Sequence, residues 1–81
     1  MNITYDKAVD AIYFKRFDSE ILDSEEIAPG VIYDYDKNDN VVGVEVYPLK
    51  NRTPEETKAI KFPFTEDEKA IFREFFLNVF A

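Results

Sequence analysis

Residues 30–47 read Gly30-Val31-Ile32-Tyr33-Asp34-Tyr35-Asp36-Lys37-Asn38-Asp39-Asn40-Val41-Val42-Gly43-Val44-Glu45-Val46-Tyr47. Two runs rich in β-branched and aromatic residues flank the polar cluster Lys37-Asn38-Asp39-Asn40, which is the sequence form of a β-hairpin. The register follows from the side chains. An even loop sets Tyr35 opposite Val42, Tyr33 opposite Val44 and Val31 opposite Val46, so that one side of the ribbon is wholly apolar. An odd loop would set Val31 opposite Glu45 and mix the faces. The pattern therefore predicts an even loop, with Asn38-Asp39 at its tight centre, because short polar side chains tolerate positive φ. Gly43, opposite Asp34, predicts a bulge or a close approach to the backbone.

Around this hairpin, Tyr5-Asp6, Asp10-Ala11, Gly30-Val31-Ile32, Asp34-Tyr35-Asp36, Asn40 and Val42-Gly43-Val44-Glu45-Val46 form a loose motif. Over residues 1–49 the motif resembles an uncharacterised prokaryotic family, domain of unknown function 2283. The family usually carries Asp-Gly at the hairpin tip, where this chain has Asn38-Asp39. Its members tend to be shorter, and residues 52–81 look like an addition. The resemblance implies a small β-rich fold with no assigned activity. Some members look like the acidic partner of another small protein, in a toxin–antitoxin-like arrangement.

With 81 residues the chain reads as a single domain, residues 1–81, with a β-sheet part over 1–49 and a helical extension over 50–81. A domain of this size is marginal alone, and oligomerisation is a common remedy. It contains no cysteine and no histidine. Thiolate chemistry, disulfides, His-containing triads and the common zinc ligand sets are thereby excluded. No run is apolar enough to span a bilayer, and the N-terminus lacks the basic-then-apolar order of a signal peptide. A cytoplasmic location is expected. The net charge is -7. Met1 to Lys50 holds 5 basic and 11 acidic residues, and Asn51 to Ala81 holds 5 and 6, so the acidity lies on the β part. Phosphate backbones require cations, which speaks against nucleic acid. A basic protein partner is the natural complement, although the charge could also serve solubility alone.

In chain order, residues 2–5 read as a strand and Asp6 to Asp10 as a polar turn. Residues 11–17 form a second strand with Ile12 and Phe14 toward the core and Tyr13 and Lys15 on the other face. Residues 21–28, holding Asp23, Ser24, Glu25 and Glu26, suit an edge strand, where charges discourage unwanted pairing. Short linkers favour an antiparallel meander of four to five strands. Thr53-Pro54-Glu55-Glu56 predicts a first helix over residues 54–60. Thr65-Glu66-Asp67-Glu68 repeats the capping-box pattern and opens a longer helix to about Val79. Its residues Ile71, Phe72, Phe75, Phe76, Val79 and Phe80 form one apolar stripe, to be buried on the chain's own sheet or on another subunit. The predicted fold is thus α+β: a small antiparallel meander followed by two C-terminal helices, the longer packing on a sheet face. The uncovered sheet face of shorter relatives suggests self-association, with a dimer as the simplest homo-oligomer.

The sequence offers four kinds of candidate site. Asp34, Asp36, Asn38 and Glu45 fall at positions one, three, five and twelve of a calcium loop, but Asp39 stands where that loop needs glycine, and no helices flank it. They are weak metal candidates. Asp34, Asp36 and Glu45 could pair as acid and base, but a small sheet face offers little concavity for substrate. Tyr13 and Tyr47, on the outer face with Asp34, Asp36 and Glu45, make a plausible protein-binding patch; stacking of bases on the tyrosines is opposed by the acidic charge. The Phe-rich last helix lacks the basic polar face of a membrane-surface helix. The expected function is that of a non-enzymatic interaction domain without cofactors, self-associating and open to a basic partner. The alternative is a small-ligand or divalent-metal module built on the hairpin carboxylates.

Overall fold

A computed structural model describes residues 2–49 and 62–80. Five strands, β1 (Asn2–Asp6), β2 (Ala11–Lys15), β3 (Asp23–Ala28), β4 (Val31–Tyr35) and β5 (Val41–Val46), form one antiparallel sheet. Their order is β1-β2-β5-β4-β3. The α+β class stands, but the meander is corrected. β2 does not pair with β3; it pairs with β5, with Ile12 opposite Val46 and Phe14 opposite Val44. The last four strands therefore have Greek-key order. The connection between β2 and β3 crosses three inter-strand gaps, about 14 Å at ~4.8 Å each. Its length, residues 16–22, permits this, since an extended residue reaches about 3.3 Å. This arrangement puts the most apolar strand, β5, at the centre of the sheet and the acidic β3 at an edge.

The hairpin register holds at its open end and shifts at its tip. Tyr33 faces Val44, Val31 faces Val46 and Asp34 faces Gly43, but Tyr35 faces Val41 rather than Val42. The Asp36 N–H donates to the Asn40 carbonyl at 3.0 Å, and the Asp39 N–H donates to the Asp36 carbonyl at 3.1 Å. Asp39 has φ 61°, in the left-handed region. The expected even loop is thus an odd one: a turn over Asp36 to Asp39 with a left-handed residue before the strand resumes. An irregularity beside Gly43 restores the parity, so the apolar face survives.

Ile12, Phe14, Val31, Tyr33, Val44 and Val46 form the buried cluster on one face of the sheet. Val42 is buried as well but stands apart from it. The expectation of two C-terminal helices is corrected too. Among the described residues one helix follows the sheet, α1 (Glu66–Phe80); residues 54–60, expected as a first helix, lie outside them. α1 opens as its sequence predicts. The Glu68 N–H donates to Thr65 Oγ1 at 3.2 Å, and the Thr65 N–H donates to Glu68 Oε1 at 2.9 Å. Phe72 and Phe75 pack against the cluster, with Leu49, Phe62 and Phe64. The Phe14 ring lies 5.0 Å from Phe64 and 4.8 Å from Phe72 between centroids, both at steep angles, the arrangement aromatic quadrupoles favour. Ile71, expected in the covering stripe, is instead exposed on the flank of α1. The side chains of Phe76, Val79 and Phe80 lie outside the described residues. The helix therefore covers the apolar sheet face within the same chain.

Candidate interaction face

The opposite face of the sheet carries the residues singled out in the sequence. The register lines up Thr4, Tyr13, Glu45, Ile32 and Glu26 in one row across the strands. A second row holds Asn2, Lys15, Gly43, Asp34 and Ser24. Tyr13 leans diagonally from the first row across the second, over Gly43. A Cβ at Gly43 would lie 2.7 Å from Tyr13 Cζ and closer still to the hydroxyl, so only glycine leaves room for the ring. The predicted close approach at Gly43 is thus made by the Tyr13 side chain.

Past Gly43, the Tyr13 hydroxyl donates to Asp34 Oδ2 at 2.7 Å. The Ser24 hydroxyl donates to Asp34 Oδ1 at 2.6 Å. Asp34 thus ties β2, β4 and β3 together over β5. Burial, followed by the hydrogen bond to Asp34, pushes the ionisation of Tyr13 well above the usual tyrosine range. Ser24 was not among the expected site residues, because its position beside Asp34 depends on the pairing of β3 with β4. A similar tyrosine–carboxylate bond closes the first turn, where the Tyr5 hydroxyl donates to Asp10 Oδ1 at 2.6 Å. That bond pushes the Tyr5 pKa up to about 12.

Glu45 stands opposite Tyr13 beside this centre, whereas Asp36 and Tyr47 do not join it. Asp36 sits at the hairpin tip, and its carboxylate turns inward on its own loop. It accepts from the N–H groups of Asn38 at 2.8 Å and Asn40 at 3.0 Å, and from the Asn40 side chain at 3.2 Å. These bonds, the Asn40 backbone first, hold the Asp36 carboxyl below the usual carboxylate range. Tyr47 is half exposed at the other end of β5. The calcium-loop residues Asp34, Asp36, Asn38 and Glu45 are therefore not gathered around one point. Among the described residues no group of three or more acidic side chains is placed to hold a metal ion. What the outer face does assemble is Tyr13, Asp34 and Ser24, with Glu45 and Glu26 flanking Ile32 in the adjacent row.

Arg16 links this architecture to the helix. Arg16, just after β2, donates from Nε to Glu68 Oε2 at 2.9 Å and from Nη2 to Glu68 Oε1 at 3.0 Å. Its Nη1 donates to the Val41 carbonyl at 3.0 Å. No helix of the described residues is long and apolar enough to cross a membrane.

No curated protein and no solved structure matches the chain. A family model described as protein of unknown function (DUF2283) matches residues 2–50, a span that contains the whole five-stranded sheet and stops short of α1. The expected family is thus found over the stretch whose residues suggested it, and the chain belongs to the DUF2283 family.

Proposed function

We propose that this protein is a non-catalytic interaction domain that presents the outer face of its sheet to a basic protein partner. The observation that carries the reading is the division of labour between the two faces. α1 and the phenylalanines before it cover the apolar face within the chain, while the outer rows carry Glu45, Glu26 and Asp34 around Ile32. The Tyr13–Asp34–Ser24 bonds hold that face in one arrangement, which lowers the ordering cost of binding. An acidic surface steers and selects a cationic partner. Self-association through the apolar sheet face loses its motive once α1 covers that face.

The test is a capture experiment from native lysate with the tagged full-length chain, read by mass spectrometry beside a Glu26→Lys/Glu45→Lys chain. The expected result is one small basic protein in stoichiometric amount, lost with the charge reversals. The reading fails if both chains recover the same proteins, or if the wild-type chain recovers only itself.

A further inference from the structure

The connection between β2 and β3 is held at both ends. The Arg16 N–H donates to the Val42 carbonyl at 2.8 Å, and the Leu22 N–H donates to the Tyr35 carbonyl at 2.9 Å. Between these anchors the segment carries Phe17, Ile21 and Leu22, which are 51%, 47% and 57% exposed. Single exposed apolar residues are ordinary, but three large ones within six residues of one surface connection are not. The Arg16 guanidinium lies over the Phe17 ring at 5.0 Å from its centroid; the crossing itself does not call for Ile21 or Leu22, since a connection over the sheet end needs only polar residues and turns.

A cleft of about 350 Å³ opens beside this segment, lined on one side by Ser19, Glu20 and Leu22 and on the other by Asp36, Lys37 and Asn38 of the hairpin tip. The first wall is anchored at Leu22 by its backbone bond, and the second is held by the bonds Asp36 makes within its loop. The surroundings are acidic. The charged residues that line the cleft are Glu20, Asp36 and Lys37; among the described residues neither Glu20 nor Asp36 is in an ion pair, whereas the neighbouring Asp18 is bridged by Lys15 at 2.9 Å.

We infer that Phe17, Ile21 and Leu22, with the adjoining acidic cleft, form a docking surface for a basic peptide segment bearing apolar side chains. This rests on the partner-binding reading and adds where the partner inserts its apolar anchors. Charge selects the occupant. A second copy of the chain would bring the same carboxylates to the contact, whereas a Lys- or Arg-rich segment neutralises them while its apolar residues cover the exposed three. Lysine stems can themselves lie along such apolar surface with the ammonium at the acidic rim.

The experiment uses the full chain and a fluorescent twelve-residue peptide of alternating leucine and lysine, followed by anisotropy. A lysine–glutamine peptide and a glutamate–leucine peptide of the same length serve as comparisons. The leucine–lysine peptide is expected to bind best, and less tightly as salt rises. Phe17→Ser, and separately Ile21→Ser/Leu22→Ser, should each weaken it roughly tenfold, while Glu26→Lys/Glu45→Lys on the sheet face changes it less than about twofold. Thermal melts of the variants check folding, and Lys37→Glu, a surface change, should tighten binding. The proposal is overturned if the lysine–glutamine peptide binds equally well, if no peptide binds, or if the serine variants bind like the wild type. Loss of binding only in the sheet-face variant overturns it too, but leaves the partner-binding reading standing. A wild-type chain that is dimeric by sedimentation and monomeric as Ile21→Ser/Leu22→Ser would make the surface a self-contact and likewise overturn it.

Discussion

Arg16 and Glu68, separated by 52 positions in sequence, meet in a two-pronged ion pair whose side chains are only 11% and 13% exposed. Glu68 does two things at once. It closes the capping box of α1 through the Thr65 N–H, and it clamps that end of the helix to the start of the β2–β3 connection. The guanidinium of Arg16 holds the Glu68 carboxyl below the usual carboxylate range. A depressed acid contributes stability at pH values above its unfolded pKa, near 4.5, and loses that contribution as pH falls through its folded value.

Replacement Glu68→Gln should therefore destabilise the protein at pH 7 by about 3 kcal/mol, since it strands a nearly buried guanidinium. It should also flatten the acid limb of stability. Urea titrations between pH 7 and pH 3 provide the check: the two chains should converge toward the acid end. Parallel curves would mean that Glu68 acts through packing alone.

Replacement Gly43→Ala should push the Tyr13 ring aside and break its bond to Asp34, costing about 1–3 kcal/mol. The same loss should be small in a Tyr13→Ala background, and that non-additivity is the readout. Spectroscopic titration adds a second one. Tyrosines whose ionisation is raised by folding stabilise the protein fully below pH ~10 and lose that contribution as pH climbs through their folded values, about 12 for Tyr5. Stability should thus decline above pH ~10, and Gly43→Ala should return one tyrosine to ordinary ionisation.

Asp39→Gly should stabilise the hairpin by about 0.5–1 kcal/mol, because φ 61° crowds a Cβ and glycine adopts it freely. The midpoint of urea unfolding measures this. A lower midpoint would show that the side chain of Asp39 contributes more than its backbone costs.

Phe72→Ala should remove a ring packed edge-on against Phe14 and cost about 3–5 kcal/mol. Much of a small domain's stability, roughly 5–15 kcal/mol, would be lost. Hydrogen exchange should show the amides of α1 losing protection first while β2, β4 and β5 retain theirs. Simultaneous loss over helix and sheet would mean that the two fold as one unit.

Local chemistry made much of this protein legible in its sequence. Ile12 and Phe14 are buried as the alternation of β2 demands. Val31 and Tyr33 face Val46 and Val44 because any other parity would bury Glu45. Thr65 and Glu68 cap α1 because their spacing lets each side chain reach the other's N–H. The family could be read from the same stretch, since its motif consists of these hairpin residues.

Tertiary structure decided the rest. Alternation assigns a side chain to a face but does not choose the neighbouring strand, and so the pairing of β2 with β5 is not legible in the sequence. That choice brings Tyr13 to Asp34 across Gly43, 21 positions away in sequence, and Ser24 arrives from the other side through β3. The tip took an odd loop because Asp36 could bond three donors of its own turn, and the irregularity beside Gly43 absorbed the extra residue. For the same reason Asp36 left the outer face. Periods of 2 and 3.6 residues are written into the chain one neighbour at a time, whereas pairing partners, and the faces they build, depend on contacts that exist only after the whole sheet has closed.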